Sequence, residues 1–266
     1  MISQKTRVIL LVCSIILIWQ FSYSVFQVSN PLIPSPFQIF LALKEVILSG
    51  EIFPHVFYSL KRVLVGFFIA SFIAVSLGLF CGHSKKVGTL LEPLVEILRP
   101  IPPIAWIPLA ILIFGLGDKS SYFIIFIGAF FPIFTNTFFG ARSIPKVYIN
   151  LARTGNIGIY SYFKNILLKF SLPYIFTGLK IGIGMAWMSL IAAELIGAQS
   201  GLGYFIQINR LLLKTDMIIA GMIIIGLLGL LLNHLDFSQK IQFLQYILFS
   251  HLYLYPKKKT AHAVDL

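Results

Sequence analysis

The chain has 266 residues, of which 58% are hydrophobic and 11% charged, and its formal net charge is +12. So few charges cannot coat a water-soluble domain of this size, which excludes soluble enzymes and soluble nucleic-acid-binding proteins and makes the chain an integral membrane protein. Its apolar windows of about 18 or more residues are long enough to cross a bilayer as helices, and the alternating pattern of a membrane β-barrel is absent; the fold class is all-α and polytopic.

In chain order the apolar windows predict about six membrane helices, at 8–26, 63–82, 101–116, 121–140, 174–196 and 217–235. The first follows Lys5 and Arg7 and ends near Ser22 and Ser24, as a secretory signal peptide would, but its length suits a span and it is read as one. After Pro31, Pro34 and Pro36, the spacing of Phe37, Phe40, Leu41, Lys44 and Glu45 predicts a short amphipathic helix along the outer surface. Residues 1–62 thus form an N-terminal span with an external segment, 63–235 a membrane core, and 236–266 a basic tail. The tail reads as an interfacial helix interrupted by Gln239, Gln242 and Gln245 and anchored by Lys257, Lys258 and Lys259; a seventh span is the alternative.

A cytoplasmic N-terminus places 14 Lys and Arg residues in inside segments and 6 in outside ones, the bias that the positive-inside rule requires. Lys61 and Arg62 fit it poorly, because they abut the second span on its outer side. Cys13 and Cys81 lie in apolar segments with no CxxC and no nearby His, so neither a disulfide framework nor a metal site is expected.

Within the third span, LRPIPPIAWIPLAILIFGLG from Leu98 to Gly117 sets Pro100, Pro102, Pro103 and Pro108 where each removes a backbone donor and bends or unwinds the helix. Irregular backbone at membrane depth survives only against protein or a watery cavity. Pro102, Pro103 and Trp106 are therefore candidates for lining a translocation path, with an ordinary kinked helix as the other reading. In the fifth span Gly178, Gly182 and Ala186 form a small-xxx-small line for close helix packing. Glu194 is a carboxylate inside that span, so it faces either the path or, being near the outer end, the headgroups. Lys180 lies roughly 21 Å away along the helix, too far for a direct pair. The Gly-rich turn that follows, leading to Arg210 and Lys214, allows a tight re-entry near the outer mouth.

The connector NLARTGNIGIYSYFKNILLKFSLP, Asn150 to Pro173, lies within a cytoplasmic loop at 141–173 and carries basic residues but no acidic one. Its alternation of small or polar residues (Ala152, Arg153, Thr154, Asn156, Gly158) with bulky apolar ones predicts two short helices broken near Gly155 to Gly158. An apolar patch with a basic rim marks a protein docking site; an amphipathic loop resting on anionic headgroups is the alternative. No P-loop, HExxH or GxSxG is present, so no ATPase or hydrolase of the chain's own is expected.

These residues, from LLEPLVEILRPIPPIAWIPLAILIFGLGDKSSYFIIFIGAFFPIFTNTFFGARSIP through LARTG and LPYIFTGLKIGIGMAWMSLIAAELIGAQSGLGYFI to KTDMIIAGMIIIGLLGLLL, resemble the permease subunits of bacterial binding-protein-dependent ABC importers. The branch resembled carries nitrate, taurine and aliphatic sulfonates. The resemblance implies a type I importer fold in the inner membrane and a dimer, of identical chains in its simplest form, served by two ATP-binding subunits that hold ATP and Mg. It further implies an extracytoplasmic solute-binding protein. It implies a coupling motif in which Asn150 stands where a Glu is expected, Leu151 and Ala152 at two alanines, Asn156 at a glycine and Leu172-Pro173 at a Leu-Pro. Asn150, Leu151, Ala152, Arg153, Thr154, Asn156 and Gly158 would then contact the ATPase. Loss of the Glu removes a carboxylate expected at a helix terminus, where Asn replaces only its capping role. A small anion is the implied solute, with a thiamine pyrimidine precursor, a secondary transporter or channel without an ATPase, and an intramembrane enzyme as the alternatives.

Overall fold

Backbone polar groups have no water to bond inside a bilayer, and this chain satisfies them in helices. The computed structural model describes residues 4–25 and 32–233. Among these the elements are α1 (Gln4–Val25), α2 (Pro36–Leu48), α3 (Ile52–His83), α4 (Lys85–Leu98), α5 (Ile107–Phe114), α6 (Asp118–Arg142), α7 (Lys146–Thr154), α8 (Ile159–Tyr162), α9 (Leu168–Gly197), α10 (Leu202–Leu211) and α11 (Thr215–Asn233). A 3₁₀ turn, Pro103–Trp106, precedes α5, and a π-helical turn, Phe163–Leu167, joins α8 to α9. The tail expected to lie at the interface falls outside the described residues, as does Pro31.

Four helices are long and apolar enough to cross a membrane among the described residues: Ile52–His83, Asp118–Arg142, Ile159–Gly197 and Thr215–Asn233. The third expected span is not a single helix over 101–116 but a pair, Lys85–Leu98 and Pro103–Phe114, bent by 90°. The cause is local. Pro103 pushes Pro102 out of the helical region to φ −59°, ψ 140°, and the prolines cannot donate the hydrogen bonds that would carry α4 onward. The first expected span lies on α1, a single helix of 22 residues.

At the centre stands α6, between α3 and α9. Ile124, Ile125, Ala129, Ile133, Phe134 and Phe138 are buried along it. Phe126, Phe130, Phe134 and Phe138 stack at four-residue spacing, with successive ring centroids 5.3, 5.7 and 5.8 Å apart. Glycines on the flanking helices allow the backbones to approach: a Cβ on Gly78 of α3 would lie 2.8 Å from Thr137 Cβ, and one on Gly182 of α9 would lie 2.7 Å from Ile133 Cγ1. Gly178 meets Ile133 and Asn136 of α6 in the same way, and Ala186 is fully buried. Small residues are what membrane helices need here, because apolar burial from lipid gives no driving force and dispersion requires close contact.

The expected short helix forms as α2, with Ser35 and Gln38 making a reciprocal capping box and Pro36 in the first turn. Its protein-facing side is Ile39, Ala42 and Val46, whereas Phe37, Phe40 and Leu41 are exposed. α3 begins eleven residues before the expected 63, so Lys61 and Arg62 lie inside the helix; Lys61 is exposed and Arg62 buried.

Gly182→Ala should destabilise the bundle by about 1–3 kcal/mol through overpacking against Ile133, read as a lower melting midpoint of the detergent-solubilised chain. Gly184→Ala, where an added Cβ has nothing within 4 Å, carries the same gain in helix propensity and should leave the midpoint unchanged or raised.

Candidate functional site

The end of the bundle that carries Arg142 also carries α7 and α8. Pro145, extended at φ −60°, ψ 137°, sets the start of α7. On that helix Tyr148, Ile149 and Ala152 turn inward while Val147 and Leu151 face out. The Tyr148 ring lies 4.9 Å from that of Phe170, and the inward side rests on a cluster of Leu79, Ala141, Ile144, Leu167 and Ile175.

The expected break between two short helices falls between Thr154 and Ile159 and has a defined geometry. Asn156 N–H donates to the Arg153 carbonyl at 3.2 Å, Ile157 N–H donates to the Ala152 carbonyl at 3.0 Å, and Asn156 has φ +48°. This is a Schellman ending, in which the residue after the cap must be left-handed. Glycine is the usual occupant and asparagine the next best tolerated, so Asn156 fills the position where the family pattern has glycine with little penalty. Gly158 then returns the chain to extended backbone and starts α8.

Two grooves result. One, of about 400 Å³, runs between α7 and α8 and includes His83, Ala152, Arg153, Asn156, Ile157 and Tyr162 in its walls. The other, of about 480 Å³, is lined by Ile159, Tyr160, Phe163, Lys164 and Leu168. Ile159 and Tyr160 are 75% and 76% exposed. The His83 ring at the end of α3 stands 5.2 Å from Tyr162, so α3 and α8 meet beneath this surface.

One sequence expectation is corrected here. Asn150 is the fifth residue of α7 rather than a terminal one, so it caps nothing; its backbone carbonyl accepts from Thr154 Oγ1 at 3.1 Å. Ala152 is buried and forms part of a groove wall. Of the predicted contact residues Asn150, Leu151, Arg153, Thr154, Asn156 and Gly158 are exposed.

At the opposite end the structure gathers Glu194 with residues that the sequence pattern did not pair with it. Ser59 Oγ lies 2.9 and 2.8 Å from the two carboxylate oxygens, Arg62 Nη1 donates to Oε1 at 2.9 Å, and Gly203 N–H donates to Oε2 at 3.0 Å. Arg62 Nε and Nη2 both reach Asp118 Oδ1 at 2.7 Å. Glu194 is therefore sealed in an ion cluster between α3 and the turn after α9. The misfit of Arg62 with the charge bias was the sequence signal for this pairing. Pro102 is exposed, Pro103 and Trp106 are half-buried, and Trp106 packs against the cluster of Ile107, Ala110, Ile124 and Ala193 with a buried Nε1 that has no hydrogen-bond partner among the described residues. Gly178, Gly182 and Ala186 stay in the packing seam, apart from both surfaces. No group of residues able to hold a metal occurs among the described residues.

A family described as binding-protein-dependent transport system inner membrane component matches residues 74–241. The chain is 44% identical over 186 residues to a putative ABC transporter permease protein of Methanocaldococcus jannaschii, covering 70% of each. It is 37% identical over 221 residues to a putative aliphatic sulfonates transport permease protein of Bacillus subtilis, covering 83% of this chain and 80% of the relative. A nitrate import permease protein of Synechocystis sp. is 42% identical over 180 residues, 67% of this chain and 65% of that protein. Among solved structures, the inward-facing MetNI methionine ABC transporter superposes with a TM-score of 0.60 over 68% of this chain and 90% of that chain, at 19% identity, which is a likeness of fold.

Asn156→Val should cost about 1–2 kcal/mol, because a β-branched residue resists left-handed backbone, and should expose the Arg153 and Lys164 bonds to faster tryptic cleavage. Asn156→Gly should be cleaved no faster than the parent.

Proposed function

We infer that this chain, which belongs to the family of binding-protein-dependent transport system inner membrane components, serves as the membrane permease of an ABC importer for a small anion, a sulfonate, nitrate, taurine or a similar solute. The observation that carries the mechanism is the acid-free apolar surface of α7 and α8, of which α8 stands at the tip of a helical run that continues through the π-helical turn from Ile159 to Gly197. Those 39 residues measure roughly 58 Å at 1.5 Å per residue, against a hydrocarbon core of about 30 Å. A helix of that length projects from the bilayer and carries a force applied to its tip directly into the bundle centre.

On this reading the α7–α8 end is cytoplasmic, as the balance of Lys and Arg supports, and the N-terminus is cytoplasmic with it. Two copies of the chain enclose the path, with Pro102, Pro103 and Trp106 of each at the bend of the broken span. Two ATP-binding subunits engage the outward residues of α7 and α8, among them Leu151, Arg153 and Gly158. They bind ATP with Mg and perform the hydrolysis, while this chain catalyses no reaction. A solute-binding protein delivers the anion to the outer side. Family membership weighs against a carrier that works without an ATPase and against an intramembrane enzyme. The substrates in the relatives' names favour an anion over a thiamine precursor.

Reconstitution of the chain with its ATPase and binding protein in liposomes should give uptake of an alkanesulfonate, taurine or nitrate only when ATP and Mg are on the α7–α8 side. Leu151→Arg, which places a charge on the exposed apolar face, should lower that uptake at least tenfold, about 1.4 kcal/mol of lost docking, with membrane insertion unchanged. Uptake that runs equally without ATP would refute the importer reading.

A further inference from the structure

We propose that Arg62 is a positioning residue that locks the outer ends of α3, α6 and α9 into one unit, so that the path opens outward between two copies of the chain and not by these helices parting within one copy. The proposal rests on the permease reading above.

All the N–H donors of Arg62 are engaged. Nε and Nη2 reach Asp118 at the first turn of α6, Nη1 reaches Glu194 of α9, and the guanidinium also holds both the carbonyl and the Oγ of Ser200 in the turn after α9. Neighbouring backbone closes the same cluster: Leu202 N–H donates to Ser59 Oγ at 2.9 Å, Gly201 N–H donates to His55 Nδ1 at 3.2 Å, and Gly117 N–H donates to the Gly197 carbonyl at 2.9 Å. Gly201 sits at φ +107° with its backbone so close to the Glu194 carboxylate that a Cβ there would overlap it. Separating α3 from α9 would strand Glu194, fully buried, without its cation and would strand a guanidinium beside one partly exposed carboxylate. Breaking one side of such a pair is far costlier than keeping it.

The other end of α6 is built differently. Arg142 makes one ion pair with Glu92 of α4 at 2.9 Å, and the two side chains are 35% and 29% exposed. A pair so hydrated exchanges its partners for water at little cost. Within one copy the seam free to move is therefore the α4–α6 contact at the cytoplasmic end, and the outer ends travel as a block.

The test uses the transporter assembled with its ATPase and binding protein in nanodiscs, in a Cys13→Ser background because Cys13 is exposed whereas Cys81 is buried. Spin labels at Phe57→Cys on α3 and Ile196→Cys on α9, both exposed, are introduced in chains diluted with unlabelled chain, and distances are measured by double electron–electron resonance without nucleotide and in the ATP-trapped state. The distance within one chain should be the same in both states, and the distance between copies, from Ile196→Cys alone, should change. A within-chain distance that shifts by several ångströms in a transporter that still imports overturns the proposal while leaving the permease reading intact. Absence of ATP-driven import in every preparation would instead overturn that reading. Arg62→Met should broaden the within-chain distribution and leave ATP hydrolysis that no longer drives uptake; hydrolysis and uptake falling in equal proportion would show a folding role alone and overturn the proposal. If Arg62→Met does not assemble, Asp118→Asn, which removes the partly exposed partner, supplies the same comparison.

Discussion

The close approach of α6 to both α3 and α9 is the constraint on which the remaining structure depends. In lipid, helices gain nothing by hiding apolar surface from water, so cohesion requires atoms in direct contact along the seam. Gly78 against Thr137 on one side and Gly182 against Ile133 on the other supply that contact, and the stacked phenylalanines of α6 fill what lies between. With α9 fixed at its centre in this way, its extension through the π-helical turn to Ile159 is continuous helix instead of a loose loop.

The surface at the end of that extension is shaped by how α7 stops. The Schellman ending at Asn156 turns the chain sharply enough that Leu151 of α7 and Ile159 and Tyr160 of α8 are exposed together, while Ala152 and Tyr148 hold α7 to the bundle. This surface is apolar and lacks acidic residues, the character expected of a protein docking face. At the far end of the bundle the charges are turned inward and satisfy one another around Arg62. One end of the chain presents groups for contact and the other withdraws them.

Helix periodicity and glycine positions were readable from sequence because they are local. The spans at 121–140 and 174–196, the break between α7 and α8, and the small-residue line at Gly178 and Gly182 all follow from spacing within a few turns. The 90° bend was only half legible: prolines announce that a helix cannot continue, but the angle at which it resumes is set by packing on α6 and α9. The Arg62–Glu194 pair spans 132 positions, beyond any local pattern, and showed itself only as a charge on the wrong side of a span. Motif matching also misjudged Asn150 and Asn156, since it records identity at a position and not the backbone conformation there; φ +48° explains why Asn serves at 156.

If the motor's force enters the chain through α7 and α8, cysteine cross-linking reads that contact directly. In the assembled transporter, single cysteines at Leu151 and Gly158, which face outward, should cross-link to the ATP-binding subunit, and their yield should change on ATP binding. A cysteine at inward-facing Ala152 should cross-link far less. Absence of cross-linking from Leu151 and Gly158 while the ATPase remains bound to the chain would contradict coupling through this end.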